Sequence, residues 1–362
     1  MKGFMNATAL AAVITLLGAL GIILYMASNL VISAPHLNTT TSTASYSTIP
    51  FNSTTTTVPE TTNLTNSTMP SNSQLIQFTL NQINSERLKF GLANVTLSNV
   101  ISGQQHATSM LVNNYFSHWD QYGMKPYMRY TLLGGKQAVD ENVAYNEQVN
   151  ETCLGPVCSI HQINVTAAIT RMNNQMLYND SLCCNNGHRN NTLDPNHNRV
   201  SIGIAYNKTN VYLVEDFVNS YITWLNNTPG IQAGTPIIYL NGLTKNGANF
   251  SFIQINYDPS PQNLSDGALS DTKSYDQGQP IAGVAYGPYY YQNVQTIYAT
   301  KYNVRGNYFN VEFNMSNLIK NYSAGVYTLD LFLTNSTGVK FLGTTYSIFI
   351  NSNGQPYMPN NV

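Results

Sequence analysis

The pattern of hydrophobic positions changes twice along the chain and predicts three kinds of structure. Residues 7–34 are almost continuously apolar. Residues 73–228 place apolar side chains first at helical spacing and then at alternate positions. Residues 229–362 mainly alternate, as β-strands do. We therefore expect an α+β unit followed by a β-sandwich, both preceded by an apolar N-terminal segment.

The first unit is predicted to begin with helices and to end with strands. One helix starts at an N-cap, Ser73, and stops before Gly91, because glycine is favoured just past a helix end. Two more cover 98–114 and 164–177, where apolar residues recur three and four apart. Helices before strands, without a repeating βαβ pattern, indicate an α+β layer.

Two strands are predicted at the end of this unit. Residues 200–205 alternate between apolar and small or polar side chains, and residues 211–217 alternate around Glu215. Since residues 207–210 form only a short connector, we expect an antiparallel hairpin.

The second unit shows period-two runs separated by Gly, Asn and Pro. Short strands at this spacing predict an antiparallel sandwich, and residues 325–331 resemble immunoglobulin or fibronectin domains. The tyrosine cluster at 287–293 is a candidate surface for sugars or partners, or packs at a sheet edge. No catalytic motif is found here.

The N-terminal sequence predicts the cellular compartment of the protein. Residues 1–34 contain an apolar run long enough to cross a bilayer, which needs about 20 residues. Pro35 disfavours cleavage after Ala34, and Lys2 places the N-terminus inside. We expect a single-pass membrane anchor with the bulk of the chain extracellular; the alternative is a secreted protein after signal cleavage.

Residues 35–72 are rich in Thr and Ser, contain scattered Pro and carry almost no charge. Such a segment cannot bury enough apolar surface to offset its chain entropy, so we expect a disordered stalk. Asn-x-Ser/Thr acceptor sites recur here and further along, for example at Asn38, Asn94 and Asn335. These sites predict a glycoprotein.

The amino-acid composition limits the classes of partner that the protein is expected to bind. Charged residues make up 9% of the 362 residues and the net charge is −1, so a basic nucleic-acid-binding surface is excluded. Hydrophobic residues at 43% suffice for a core. The expected partners are the membrane, through the N-terminal helix, and an unknown extracellular ligand, glycan or protein.

Three polar segments of the first unit carry candidate chemistry. His118, Glu141 and His188 each lie among Gly, Asn and Ser, on backbone expected to be loop-like or to start a helix. Their spacing alone does not bring them together.

The order of seven segments resembles the CAP superfamily (SCP or PR-1-like domain), prokaryotic type. In chain order they are LNQINSER at 80–87, QHATSM at 105–110, FSH at 116–118, ENVA at 141–144, GHRNN at 187–191, RVSIGIA at 199–205 and YLVEDF at 212–217. The resemblance implies an α-β-α sandwich with an open cleft.

The resemblance also implies that two His and two acidic residues line that cleft. His118, Glu141 and His188 match three of these positions. The fourth, a Glu on the preceding helix, is missing from residues 171–180, where Asp180 is a possible replacement.

Two neutral imidazoles and a carboxylate can hold Zn²⁺ or another divalent metal, with Glu141 as ligand or catalytic base. Alternatively, Glu141 orients His118 by a hydrogen bond, or the three residues form a bracing polar network. Because the family is better known for binding and signalling than for catalysis, we expect a ligand-binding cleft. The alternatives are a metal-dependent hydrolase that uses His118, His188 and Glu141, and an adhesive or envelope-structural protein.

The remaining histidines are given simpler roles. His106 is expected in the core or at its boundary, and His197, in an Asp-Pro-Asn turn, is expected to face solvent. His161 lies near Cys158 in sequence and is close enough along the chain to approach the cleft, but no sequence pattern requires it to do so.

The four cysteines are expected to be oxidised outside the cell. Either Cys153–Cys158 and Cys183–Cys184 pair locally, or the two pairs bridge crosswise. We favour the crosswise bridges, because bonding adjacent residues strains the chain. A zinc site of four cysteines is disfavoured for the same reason.

Overall fold

A computed structural model describes residues 70–154, 156–232, 235–272 and 274–359. The predicted anchor over 1–34 lies outside the described residues, as does the predicted stalk except for its last three residues. In the part of the chain that the structure describes, no helix is long and apolar enough to cross a bilayer.

The region up to residue 219 alternates helices and strands. Its elements are α1 (Asn72–Lys89), β1 (Thr96–Leu97), α2 (Ser102–Asn113), α3 (Pro126–Leu132), β2 (Ala138–Glu147), β3 (Asn150–Leu154), β4 (Val157–His161), α4 (Val165–Tyr178), α5 (Ser181–Cys184), α6 (Gly187–Leu193), β5 (Arg199–Tyr206) and β6 (Asn210–Asn219).

A four-stranded sheet in the order β1-β5-β6-β2 lies between helices. Because side chains alternate along a strand, Leu213 on β6 packs with α1 and α4, whereas Val214 packs with Met110 of α2 on the other face. The predicted hairpin is confirmed, since β5 and β6 pair antiparallel. β2 forms one edge of the sheet.

The three predicted helices are present with small shifts at their ends. The first begins earlier than predicted, because Ser71 rather than Ser73 is the N-cap: its hydroxyl accepts from the Gln74 N–H, and the Gln74 side chain accepts from the Ser71 N–H. The third is capped by Asn164, whose side chain accepts from the Ala167 N–H.

The expectation of loop-like or helix-start backbone around Glu141 is wrong. Residues 138–147 form β2, which pairs along its whole length with β6. The strand was hidden in the sequence because its inward side chains include acids, whose partners come from distant segments.

The region after β6 is rich in β-sheet. Its elements are β7 (Ile222–Trp224), β8 (Gly230–Ile231), β9 (Ile237–Thr244), β10 (Asn249–Pro259), α7 (Asp266–Asp271), β11 (Gln279–Ala285), β12 (Gln295–Tyr298), β13 (Lys301–Arg305), β14 (Tyr308–Asn314), α8 (Ser316–Tyr322), β15 (Gly325–Thr334) and β16 (Lys340–Ile350). Two short helices interrupt what was expected to be an all-β region.

One apolar core joins the two sheets of this region. The first sheet has the order β12-β11-β10-β15-β16, and the second has the order β13-β14-β9-β7, with β8 beside β9. Ile255 and Leu329 of the first sheet lie in the same buried cluster as Leu240 and Phe313 of the second. The chain is thus mixed α/β, with a β-rich C-terminal region.

The two regions are held together by buried polar contacts. Lys125 Nζ lies 2.6 Å from Asp258 Oδ1 of β10, and the Thr344 hydroxyl donates to the Lys136 carbonyl over 2.6 Å. The Ser347 N–H donates to the Thr131 hydroxyl of α3 over 3.1 Å. The β15–β16 side of the C-terminal region therefore packs directly on α3.

The cysteines pair locally, so the crosswise arrangement is wrong. Cys153 and Cys158 face each other across the β3–β4 hairpin, and that register brings their Cα atoms to 4.0 Å. Cys183 and Cys184 are bonded to each other at the end of α5. Because Cys153 and Cys158 already bond each other across the hairpin, neither is left to bond Cys183 or Cys184.

Candidate functional site

The candidate residues meet at the β2 edge of the first sheet. Glu141 lies on β2, His118 lies in the loop between α2 and α3, and His188 lies in the first turn of α6. Sequence spacing did not predict this meeting, because 23 residues separate His118 from Glu141.

A buried ion-pair network surrounds Glu141. Its Oε1 accepts from His118 Nδ1 over 2.9 Å, and its Oε2 accepts from Arg129 Nη2 over 2.7 Å. Arg129 Nη1 also donates to the carbonyls of His118 and Met124, at 2.8 and 2.7 Å. Arg129 therefore fixes both the carboxylate and the loop that carries His118.

Burial sets the protonation of this network. Burial raises the pKa of the Glu141 carboxyl to about 7, although Arg129 opposes the shift. Burial, reinforced by the nearby charge of Glu141, raises the pKa of Asp216, its partner across the β2–β6 pair, well above its usual value. Burial and then Arg129 lower the pKa of His118 to about 4, so its imidazole is neutral at pH 7.

His188 is oriented in the same manner by a second acid. Asp180 Oδ1 lies 2.6 Å from His188 Nδ1, and Asp180 Oδ2 accepts from the Arg189 N–H over 3.1 Å. The acid suggested as a replacement for the missing Glu thus contacts His188 directly. Both imidazoles have Nδ1 held by a carboxylate, and no hydrogen bond joins either Nε2 to another described residue.

The two rings lie side by side. Their centroids are 6.2 Å apart and their planes differ by 23°. The position of α6 follows from Asn142 on β2, whose amide donates to the His188 carbonyl over 3.1 Å. The buried Arg87 steadies the end of the same helix by donating to the Thr192 and Asp194 carbonyls.

A residue from the β-rich region covers the site. The Tyr275 hydroxyl accepts from the Glu141 N–H over 2.9 Å, and its ring centroid lies 5.2 Å from that of His118. The Ser117 hydroxyl donates to the Thr272 carbonyl nearby. The His118 and His188 side chains are only 10% and 14% exposed, so this site is less open than the cleft that the family resemblance implies.

The trio does not fit a three-ligand metal site. Among the described residues, the groups whose potential ligand atoms all lie within 4.8 Å of one another are Asp180 with Cys183, Cys184 and His188, and Glu151 with Cys153 and Cys158. Both oxygens of Glu141 are engaged by Arg129 and His118. This geometry makes Glu141 an orienting group for His118.

The structure places the other histidines outside the site. His106 is buried, as expected, and its Nε2 bonds the Ser117 carbonyl. His197 is buried rather than facing solvent, because its Nδ1 bonds Asn219. His161 is exposed on β4 and bonds Thr152, so it does not approach the cleft.

Arg129 and Tyr275 were missed by sequence reasoning. Arg129 stands in no recognised motif, and its only signal is a lone cation within an apolar helix. Tyr275 lies 134 residues from Glu141 and belongs to another region, so no local pattern could reveal it.

Comparison with known proteins places the site in a family context. A family model described as the cysteine-rich secretory protein family (CAP) matches residues 80–221. A search of curated proteins finds no match. A crystal structure of an extracellular protein containing an SCP domain from Bacillus anthracis is 21% identical, with a TM-score of 0.28.

That comparison covers 42% of this chain and 45% of the Bacillus protein, so this chain spans less than half of that relative. At this overlap it adds nothing to the assignment made by the family model. The match over 80–221 includes all three predicted cleft residues and the sheet edge on which they meet. Residues 80–221 of this chain therefore form a domain of the CAP superfamily.

Proposed function

We propose that the chain is a surface-exposed binding protein whose CAP domain holds a hydroxyl-bearing ligand, such as a glycan, at the His118–His188 edge. The observation that carries the proposal is that each imidazole has Nδ1 held by a carboxylate while Nε2 is left free. A neutral imidazole whose Nδ1–H is donated presents Nε2 as an acceptor. His118 Nε2 is such an acceptor, and His188 Nε2 is a second hydrogen-bonding nitrogen beside it, so the pair suits the hydroxyl groups of a sugar.

The ring spacing decides where a ligand lies. Carbon atoms in contact are about 3.5 Å apart, so a planar group between the rings would need roughly 7 Å. The centroids are only 6.2 Å apart. The ligand therefore contacts the ring edges, with Tyr275 as a neighbouring aromatic surface.

A metal-dependent hydrolase is the weaker hypothesis. It needs Glu141 as a ligand or base, whereas Arg129 and His118 already occupy the carboxylate. Of the two forms of the cleft, metal-free or holding Zn²⁺, these contacts favour the metal-free form. Titration of the oxidised chain with Zn²⁺ should give no binding that depends on His118.

The setting of the CAP domain is part of the proposal. We propose that residues 1–34 anchor the chain in the cell membrane, or act as a cleaved signal, and that residues 35–72 form a glycosylated stalk. The CAP unit would then extend over 73–228. The C-terminal unit, 229–362, would be an immunoglobulin-like sandwich, which its two sheets on one core support.

The proposal is tested on an array of immobilised glycans with the full chain in mild detergent. His188→Ala removes one hydrogen-bonding nitrogen and should weaken binding about fivefold, which corresponds to roughly 1 kcal/mol for one hydrogen bond. His118→Ala should weaken binding similarly. His161→Ala, on the exposed hairpin, is the matched control and should bind as the parent does. Glycan binding that is equal in all four proteins, or absent from the parent, would overturn the proposal.

An adhesive or envelope-structural role is distinguished by the same variants. Adhesion through another surface, such as the exposed Tyr289 and Tyr290, would survive His188→Ala. Attachment of whole cells that is unchanged in the cleft variants but lost in Tyr289→Ala/Tyr290→Ala would favour adhesion.

A further inference from the structure

The bonded pair Cys183–Cys184 lies beside His188 in the turn that follows α4. Cys183 Sγ is 3.6 Å from Asp180 Oδ1, and that same oxygen holds His188. Ligand atoms from Asp180, Cys183, Cys184 and His188 all lie within 4.8 Å of one another. Four side chains of three chemical types thus lie close together beside the cleft, and they share His188 with it.

This bridge has little to do with holding the fold. The stabilisation that a disulfide gives grows with the length of the loop it closes, and this one joins neighbouring residues. Cys183 is exposed to solvent, so a reductant reaches it. An accessible bond that closes the shortest possible loop is open to reduction without loss of the surrounding structure.

We propose that reduction of Cys183–Cys184 creates a binding site for a thiophilic divalent cation, with Cys183, Cys184, His188 and Asp180 as ligands. An external dithiol supplies two electrons and two protons: the sulfur–sulfur bond breaks to give two thiols, and the dithiol becomes a disulfide. Binding of the cation then releases the two thiol protons to solvent. The oxidised protein lacks the site, because disulfide sulfurs are not thiolates.

The chemistry of the four donors supports this site. Zn²⁺ takes Cys, His and Asp ligands in a tetrahedron, with bonds of about 2.0–2.3 Å, so its ligands lie roughly 3.6 Å apart. The four donors lie within 4.8 Å of one another, so at most about 1 Å of closure is needed once the bridge opens. Asp180 is buried and already contacts Cys183, because its carbonyl oxygen and its Oδ1 both lie 3.6 Å from Cys183 Sγ.

Adjacent cysteines restrict the angle between the two metal–sulfur bonds. A larger cation with longer bonds to sulfur tolerates this restriction better than Zn²⁺ does. Cd²⁺ is therefore the sharper probe, and its thiolate complexes absorb in the ultraviolet. The inference uses His188 but does not depend on the cleft ligand, because metal binding is measured directly.

The test uses the full chain carrying Cys153→Ser and Cys158→Ser, which remove the other bridge and its neighbouring Glu151 group. The protein is reduced with a phosphine, freed of reductant without oxygen and titrated with Cd²⁺. We expect one Cd²⁺ per reduced chain and none per oxidised chain.

Variants in this background identify the ligands. Cys184→Ser should abolish binding, and His188→Ala and Asp180→Asn should each weaken it at least tenfold, whereas His161→Ala should leave it unchanged. Circular dichroism of the reduced parent should match that of the oxidised parent. Failure of the reduced parent to bind Cd²⁺ would overturn the proposal. So would binding by both His188→Ala and Asp180→Asn at the parent's affinity, since a bare dithiol would then suffice.

Discussion

Arg129 is predicted to be the single most important side chain for holding the cleft. Its guanidinium pairs with Glu141 over 2.7 Å and donates to the carbonyls of His118 and Met124. It is buried, so water cannot replace these bonds. Arg129→Met keeps much of the volume and removes every one of these hydrogen bonds.

The expected loss depends on pH, because Glu141 titrates. Burial raises the folded pKa of Glu141 to about 7, above its ordinary 4.5, so the contribution of Glu141 to folding stability falls as pH rises from 4.5 to 7 and is then level. Without Arg129 the folded pKa rises further, and the fall continues above pH 7. Lost hydrogen bonds cost about 2 kcal/mol at pH 6. Each further pH unit above 7 adds up to about 1.4 kcal/mol.

The assay is urea denaturation of the parent and of Arg129→Met at pH 6 and pH 8. The deficit should grow from about 2 to more than 3 kcal/mol. Adding Glu141→Gln removes one of the two buried acids that Arg129 stabilises and leaves Asp216, so the deficit should change less with pH in the double variant than in Arg129→Met alone. Arg305→Met, at the exposed end of β13, is the matched control and should stay within about 0.5 kcal/mol of the parent. A deficit for Arg129→Met that is the same at both pH values would refute the reasoning.

Two further substitutions test the contacts between the regions. Tyr275→Phe keeps the ring but leaves the Glu141 N–H without its acceptor, so it should lower the free energy of unfolding in urea by about 1 kcal/mol. The control Tyr298→Phe, at an exposed position, should leave it unchanged. Equal effects of the two substitutions would contradict the role of the Tyr275 hydroxyl. Lys125→Met strips the buried Asp258 of its cation and should cost about 3 kcal/mol by thermal or urea unfolding. Lys320→Met, exposed on α8, serves as control, and a similar small change in both proteins would count against a buried ion pair.

Periodicity predicted the elements that bury one apolar face. The four-residue spacing of Ala168, Met172 and Met176 predicted α4, and all three side chains are buried against the sheet. The alternation in 200–205 predicted β5 for the same reason. Burial of a continuous apolar face leaves a regular signal in the sequence, because each element repeats its own geometry.

Elements whose interior is polar could not be predicted in this way. β2 buries Glu141 and Asn142, whose partners Arg129 and Glu215 lie elsewhere in the chain. His197 follows a turn pattern typical of the surface, yet Asn219 and the packing of Arg87 bury it. In each case, a distant side chain supplies the hydrogen bond that permits burial, and sequence spacing holds no record of that pairing.

The candidate site shows the same limit. Motif order grouped His118, Glu141 and His188, but it did not predict that Tyr275 would lie over them, nor that each imidazole would have its own acid. The cysteine pairing could not be predicted for a different reason. The local and the crosswise pairings were both compatible with the sequence, and the β3–β4 register selected the local one.

The contact of Tyr275 with β2 has a consequence for solution behaviour. An unprotected outer strand offers free N–H and C=O groups that recruit another chain. Here the Glu141 N–H is already taken by Tyr275, and Asn191 covers the Glu141 carbonyl at 3.5 Å. A truncated protein that ends near residue 228 would lose the Tyr275 acceptor and leave the Glu141 N–H unpaired at the sheet edge, so it should aggregate more readily than the full chain, as measured by light scattering.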